Sequence, residues 1–497
     1  MTRRLVWLRA DLRHIDNTAL LAACQESADE VACVYAITPA QWAAHDVAPV
    51  RVDFERRQLH ALRHDLDALG IPLLMIHVPD YAGLPSALVD LARKHDVSDI
   101  HANRQYEVNE QARDVNVQQR LRAAGVTFHL HEDQCLVPPG TVLKADGTFY
   151  SVFTPFKRVW LQRLEVAGAP PRPAPNRRRS AFTQSDAVPD HFPSYPAAVH
   201  TSAADTSALG TATAVIANAK KIDVTEWWPA GENAALDRLR QFAATCIRNY
   251  DTQRDFPGHD GTSRLSPYLA AGILSPRQCL NAALRARSSH PPGSNGVDTW
   301  ISELCWRDFY KHVLVGWPRV SRHRPFRLET DPVRWRHDKE EFGRWCEGRT
   351  GFPIVDAAMR QLNATGWMHN RLRMIVAMFL TKDLLIDWRW GEKYFMQHLI
   401  DGDLAANNGG WQWSASTGND AAPYFRIFNP VTQGRKFDPD GTFIREWVPE
   451  LRHFDGDVHD PHSQGQATLF TDYPPPMVDH SAARERTLTE FQRVRAL

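Results

Sequence analysis

Between residues 5 and 131 five short apolar runs alternate with four stretches of helical spacing. The apolar runs fall at 5–8, 31–35, 73–78, 99–102 and 127–131. Asp16-Asn17 can cap the first helix. Amphipathic stretches follow at 54–69, stopped by Gly70, at 85–95, and at 109–124, stopped by Gly125. Alternation of this kind predicts a doubly wound parallel sheet over residues 1–135, an α/β domain. Neither GxGxxG nor GxxxxGK[ST] occurs, so an ordinary dinucleotide or P-loop site is not indicated.

The pattern then changes. Residues 136–230 read as an interdomain connection; from 168 they are rich in Pro, Ala, Ser and Thr and include Arg177-Arg178-Arg179. From 231 to 451 the spacing is helical and aromatic, with helices expected at 236–250, 276–287, 299–315, 353–363 and 367–385, an all-α domain. The tail, 452–497, is polar and carries Pro474-Pro475-Pro476; it is expected to wrap the surface or be disordered. His453, His459 and His462 read as part of a solvated tail in preference to a metal site, and no metal is expected.

Composition narrows the function classes. The chain has 497 residues, 43% of them hydrophobic, enough for a large core and two or three domains. Formal net charge is zero, so bulk charge does not announce nucleic acid, although a neutral protein can carry one basic face. Forty-eight of the 58 basic residues are Arg, which suits bidentate phosphate contacts and equally suits a GC-rich genome. The seven Cys form no CxxC pair, as expected of a reduced, cytoplasmic protein. The first apolar run is too short for a signal peptide, and no stretch approaches a membrane span. Thirteen of the 16 Trp lie after position 220, several in polar company that core filling does not explain.

Four segments carry the chemistry. The first joins Tyr250 and Arg254 to Gly261-Thr262-Ser263-Arg264-Leu265-Ser266, which serves as a pyrophosphate cradle or as a plain N-cap. In the second, Glu303, Trp306, Arg307 and Tyr310 share one helix face, with Trp300 upstream. A carboxylate, an indole, a guanidinium and a phenol on one face predict a polar cavity with an aromatic occupant. The third, Gly366 to Met374, sets Asn370, Arg373 and Met374 at i, i+3 and i+4. The fourth, Asp401-Gly-Asp403-Leu-Ala-Ala-Asn407-Asn408-Gly409-Gly410-Trp411-Gln-Trp413, is expected to be a loop that approaches its ligand through the backbone.

Together the strings TSRLS, ELCWRDFY, TGWMHNRLRM, DGDLAANNGGWQW and TGNDAAPYFRIFNP resemble the photolyase/cryptochrome family, specifically its microbial dimer-repairing branch. The resemblance runs from Leu5 to about Leu451. It implies an N-terminal α/β domain and a C-terminal helical domain that holds FAD in a bent shape. Tyr250, Thr262, Ser263, Arg264, Leu265 and Ser266 would hold the FAD phosphates. Trp300, Glu303, Arg307, Trp367, Asn370 and Arg373 would line its cavity, and Asp401, Asp403, Asn407 and Gly410 would contact the isoalloxazine, ribitol or adenosine. Asn407 matches the position that faces flavin N5, where an amide helps a reduced flavin persist. Plant-cryptochrome relatives carry Asp there, and animal ones often Cys.

The implied activity is light-dependent repair of cyclobutane pyrimidine dimers in UV-damaged DNA, double- or single-stranded. Excited reduced FAD gives one electron to a flipped-out dimer, which splits and returns it. Trp306 and Trp413 would wedge against the flipped bases, Glu303 would hydrogen-bond the pyrimidine edge, and Asn370 and Met374 would complete the pocket. Relatives that repair (6-4) lesions carry His at those last two positions. Arg254, Arg371, Arg426 and Lys436 are candidate phosphate contacts. Trp335, Trp388 and Trp411 match the family's electron chain; read without the family, they are core packing. Tyr106 to Glu110 resembles the segment that binds a 5,10-methenyltetrahydrofolate antenna, with His45, Asn109, Glu110 and Arg322 as contacts; a deazaflavin is the alternative. The chain is expected to act as a monomer. A cryptochrome-type light sensor is the alternative function.

Overall fold

Strands β1 (Arg3–Leu8), β2 (Glu30–Ile37), β3 (Leu73–His77), β4 (Asp99–Asn103) and β5 (Thr127–His131) form one parallel sheet in the order β3-β2-β1-β4-β5. The computed structural model describes residues 2–25, 30–178, 182, 185–193, 223–288, 295–463 and 472–496. Helices α1 (Thr18–Ala23), α2 (Pro39–Ala44), α3 (Pro49–Ala68), α4 (Leu84–Lys94) and α5 (Val108–Ala123) make the crossovers, so the sheet is doubly wound as the alternation predicts. In β1, Leu5 and Trp7 face one side of the sheet and Val6 and Leu8 the other, all at most 2% exposed. A strand buried on both faces reads as an uninterrupted apolar run, which is why the runs were legible.

One face of the sheet continues into the helical half. The cluster that holds Val6, Leu8 and Tyr35 also holds Tyr268, Trp300 and Phe309. The helical half is built from α6 (Phe153–Ala167), α7 (Glu232–Thr245), α8 (Ser266–Ala270), α9 (Pro276–Ser288), α10 (Gly296–Gly316), α11 (Pro353–Thr365), α12 (Asn370–Met378), α13 (Trp388–His398), α14 (Leu404–Ala415) and α15 (His480–Arg495), with shorter helices between them. A buried ionic cluster adds to the contact between the halves. Arg277 on α9 donates to Asp16 at 2.9 Å and to Asp133 at 2.7 Å, and Arg13 donates to Asp133.

Three expectations change. The helix expected over 367–385 starts only at Asn370, because the His369 imidazole caps it by accepting from the Arg371 N–H at 3.2 Å; it ends as a π-helical turn, Phe379–Asp383. The segment 401–413 is not a loop: Asp403 caps α14 through the Ala406 N–H at 3.0 Å, and the helix runs through both glycines. Gly409 is there for space, since a Cβ would fall 2.2 Å from the Tyr310 ring.

The described part of the tail is not a solvated strand of chain. Helix α15 buries Ala483, Thr487, Phe491 and Val494, a stripe at i, i+4, i+8 and i+11 inside a polar composition. His459 is buried, and His462 pairs with the Pro474 carbonyl at 2.9 Å.

Of the connection 168–230, residues 194–222 and Arg179 lie outside the described residues. Its described part runs along β3: the Asp186 N–H donates to Leu73 O at 2.9 Å, which covers an edge strand. No helix among the described residues is long and apolar enough to cross a membrane.

Candidate active site

A cavity of about 560 Å³ opens in the helical half between the 262–266 turn, α10, α12 and α14. Each wall follows from local sequence. On α10, Trp300, Glu303, Trp306, Arg307 and Tyr310 face it, the stripe expected from their spacing. On α12, Asn370, Arg373 and Met374 face it, together with Arg371. On α14, the cavity side is Ala406, Asn407, Gly410, Trp411 and Trp413, below the Asp403 cap.

Charge pairs brace these walls. Arg254 donates to Glu303 at 2.5 Å, and Arg373 donates to Asp401 at 2.7 Å and 3.0 Å. Arg371 pairs with Asp255 at 2.8 Å and lies over the Phe437 ring. Burial pushes the Glu303 carboxyl above its ordinary range, further than the Arg254 guanidinium pulls it down. Burial also raises Asp403, but the Lys311 ammonium at 2.8 Å and the Arg307 guanidinium outweigh it and hold the carboxyl low. Burial drives the His369 imidazole down to about 3, so it stays neutral and free to accept at Nδ1.

The residues suit a long cofactor with a phosphate centre and a flat ring. Gly410 faces the cavity, and a Cβ there would meet no protein atom within 4 Å. Arg264 takes a left-handed backbone (φ 48°) in the middle of the Thr262–Ser266 turn, a strained conformation of the kind kept at ligand sites. Trp367 closes the turn by donating its indole N–H to Ser266 Oγ at 3.2 Å. The Asn407 amide is held by one N–H to the Glu392 carbonyl at 2.9 Å, leaving the rest of the amide for the cavity. Hydroxyls and a guanidinium at one end and an amide and an Arg–Asp pair at the other fit FAD.

The other expected residues separate into groups. Trp306 lies flat on Phe153 of α6, centroids 3.6 Å apart and planes 6° apart; Phe153 carries no sequence signal, because it comes from 150 residues upstream. Trp411 and Trp388 are buried at 2% and 0%, and half-buried Trp335 packs against the same apolar cluster. The three thus lie in one body of core, running from the cavity wall outward. Arg426 and Lys436 are exposed. Arg254, a candidate phosphate contact, lines the cavity and pairs with Glu303.

A second cavity, of about 280 Å³, sits at the carboxyl ends of β1, β2 and β4, the switch point of the doubly wound sheet. His45, Asn109 and Glu110 line it and interlock: Asn109 Nδ2 lies 3.0 Å from His45 Nε2, and His45 Nδ1 lies 3.4 Å from Glu110. Arg322 does not line it. That side chain is exposed on the turn Pro318–Arg322, its neighbours Ser321 and His323 face the cavity, and the helical half contributes the cations Arg307, Lys311 and Lys393. The two cavities share a wall of Leu269, Ala270, Arg307 and Asp403. Behind that wall Lys311 bridges Glu107 at 2.7 Å and Asp403 at 2.8 Å, a link the sequence did not suggest.

The chain is 47% identical over 497 residues to the deoxyribodipyrimidine photo-lyase of Escherichia coli (strain K12), covering 100% of this chain and 99% of the relative. It belongs to the DNA photolyase family. The family's models place a DNA photolyase domain at residues 4–176 and the FAD binding domain of DNA photolyase at 300–493, the latter including most of α15. Among solved structures, a class III photolyase from Agrobacterium tumefaciens superposes with a TM-score of 0.81 at 35% identity, covering 100% of this chain and 98% of that one. A cryptochrome from Synechocystis sp. PCC6803 superposes with a TM-score of 0.82 at 28% identity, over 98% and 99%. Photolyases and a cryptochrome share this frame, so the side chains of the cavity must decide between repair and sensing.

Proposed function

We infer that the chain is a deoxyribodipyrimidine photo-lyase: it binds UV-damaged DNA and reverses cyclobutane pyrimidine dimers in the light. The observation that carries this is one cavity that gathers Glu303, Trp306, Asn370, Met374 and Trp413 beside residues suited to FAD. Bound reduced FAD supplies, on excitation, one electron to the dimer, which splits and returns it.

The protein's part is to receive the lesion and hold charge. Trp306, fixed against Phe153, and Trp413 offer rings on which flipped bases stack, worth about 1–3 kcal/mol per base. Glu303, held by Arg254 at the cavity wall, can hydrogen-bond the pyrimidine edge. Asn370 and Met374 bound the pocket with an amide and a thioether. The Arg373–Asp401 pair and the Asn407 amide would hold the flavin end of the cofactor and set the charge around it. Trp411, Trp388 and Trp335 relay electrons inward. Exposed Arg426 and Lys436 meet DNA phosphates. The second cavity takes the antenna: Asn109, Glu110 and His45 offer the donors and acceptors that a pterin edge requires, which favours 5,10-methenyltetrahydrofolate over a deazaflavin. The enzyme works as a cytoplasmic monomer and uses no metal.

The cryptochrome likeness keeps a light-sensing reading in view. Against it stand Asn407, Trp306, Glu303, Asn370 and Met374. The test is illumination of the reduced protein with UV-irradiated oligothymidine, following thymine absorbance against a dark control. Recovery only in the light, abolished in Glu303→Ala and weakened in Trp306→Ala, supports repair. No recovery, with reduced FAD bound and DNA binding measurable, overturns it in favour of sensing.

A further inference from the structure

Behind Asn407 runs a hydrogen-bonded spine that ends at the protein surface. Glu392 on α13 is 1% exposed. Its backbone carbonyl accepts from Asn407 at 2.9 Å, and its carboxylate accepts from Asn408 Nδ2 at 2.8 Å. The other carboxylate oxygen lies 2.9 Å from Nδ1 of His323, whose side chain is 58% exposed. Asn408 in turn accepts from Gln412 at 2.8 Å, and Gln412 accepts from the Phe326 N–H at 2.7 Å. Three elements are locked together: α13, α14 and the 323–326 turn. His323 itself sits at φ 55°, a left-handed backbone rare for a residue with a side chain, and its carbonyl is held by Arg389 at 2.8 Å. A buried carboxylate persists only when its partners are in place.

We propose that His323, acting through the buried Glu392 carboxylate, makes the field behind the Asn407 amide depend on pH. With the imidazole protonated, the Glu392–His323 pair is neutral. Once the imidazole loses its proton, a buried negative charge stands behind Asn407, and adding an electron to the neighbouring ring becomes harder. The hydrogen bond to Glu392 holds the His323 imidazole above its ordinary value, against the pull of burial. The other charged groups near His323 are Asp46 at the end of α2, which supports protonation, and Arg389, which opposes it. Lys393, on α13, pairs with Asp46 at 3.7 Å. The inference rests on FAD occupying the larger cavity with its redox-active ring beside Asn407.

The experiment uses flavin-loaded wild type, Glu392→Gln and His323→Gln. Bound flavin per chain is measured first, then the His323 titration by NMR, then the midpoint potential of the flavin from about pH 5 to about pH 9. The wild type is expected to show an extra fall in potential that tracks the His323 titration. His323→Gln should lack that fall, and in Glu392→Gln it should move to lower pH by about one unit. An identical pH course in all three proteins, with flavin fully retained, overturns the proposal. His323→Gln, altered at an exposed side chain, carries the decision if Glu392→Gln does not fold. A wild type that retains no flavin would instead remove the functional reading, and this inference with it.

Discussion

Lys382 shows how a single side chain can carry a charge problem into the core. It is 0% exposed and has no carboxylate partner among the described residues; its ammonium donates to Ser416 Oγ at 2.8 Å and to Ala415 O at 3.2 Å, and it lies 3.9 Å from the Phe491 ring centre. Burial lowers it to about 7. Between pH 7 and the unfolded value of about 10.4 the unfolded chain binds a proton that the folded chain does not. Stability therefore rises with pH through that window and is lower below it. Lys382→Met removes this titration, so its stability relative to wild type should be greatest below pH 7 and decline toward pH 10, as read by thermal midpoints across pH. A difference independent of pH would show that the lysine stays charged in the fold. Phe153 is the second test at this scale. Phe153→Ala removes the ring on which Trp306 rests, and dimer affinity should fall about two- to tenfold while flavin content is kept, because such a ring pair contributes about 0.5–1.5 kcal/mol. Fluorescence titration with dimer-containing oligonucleotide checks it.

Among the elements, α15 joins the end of the chain to the tryptophans. Phe491 packs edge-on to Trp335 at 6.3 Å, Thr487 donates to Lys382 O at 2.5 Å, and His480 pairs with Asp383 at 2.5 Å. The helix thus clamps the π-helical turn and covers the outermost tryptophan of the proposed chain. Phe491→Ala should cost about 3–5 kcal/mol if the site cannot collapse. It should also raise the accessibility of Trp335 to a collisional quencher, with Trp335→Phe as the control that assigns the signal. Unchanged quenching would mean that α15 does not shield that ring.

On the scale of the whole molecule, the Arg13–Asp16–Asp133–Arg277 cluster decides how the two halves sit. All four side chains are buried, and Arg277 reaches both acids from the helical half. Arg277→Met leaves two buried carboxylates with one buried cation, Arg13, and the more exposed Arg172 at 4.0 Å from Asp16, and breaking such a cluster costs about 3–5 kcal/mol. Denaturant unfolding should show that loss, and the antenna cavity, which the two halves form together, should bind its chromophore more weakly. Full stability in the variant would mean that the shared apolar core alone sets the junction.

Residue order was enough for the strand–helix alternation of the first domain, because strands buried on both faces and capped helices leave local marks. The α10 stripe of Glu303, Trp306, Arg307 and Tyr310 was legible for the same reason: helical spacing alone puts them on one face. Other features depended on neighbours distant in the chain. The glycines of 401–413 read as a loop, because the Tyr310 ring that demands Gly409 lies some hundred residues earlier. The pairing of Arg254 with Glu303 was not legible in the sequence, and Arg322 read as an antenna contact, although the turn that carries it points its neighbours inward. Helix α15 was hidden by its polar composition, because its sparse stripe gains its worth only against Val333, Trp335 and Tyr424. Local spacing fixes which residues share a face; which face meets which, and which charges become partners, is set by long-range packing that no stretch of sequence contains.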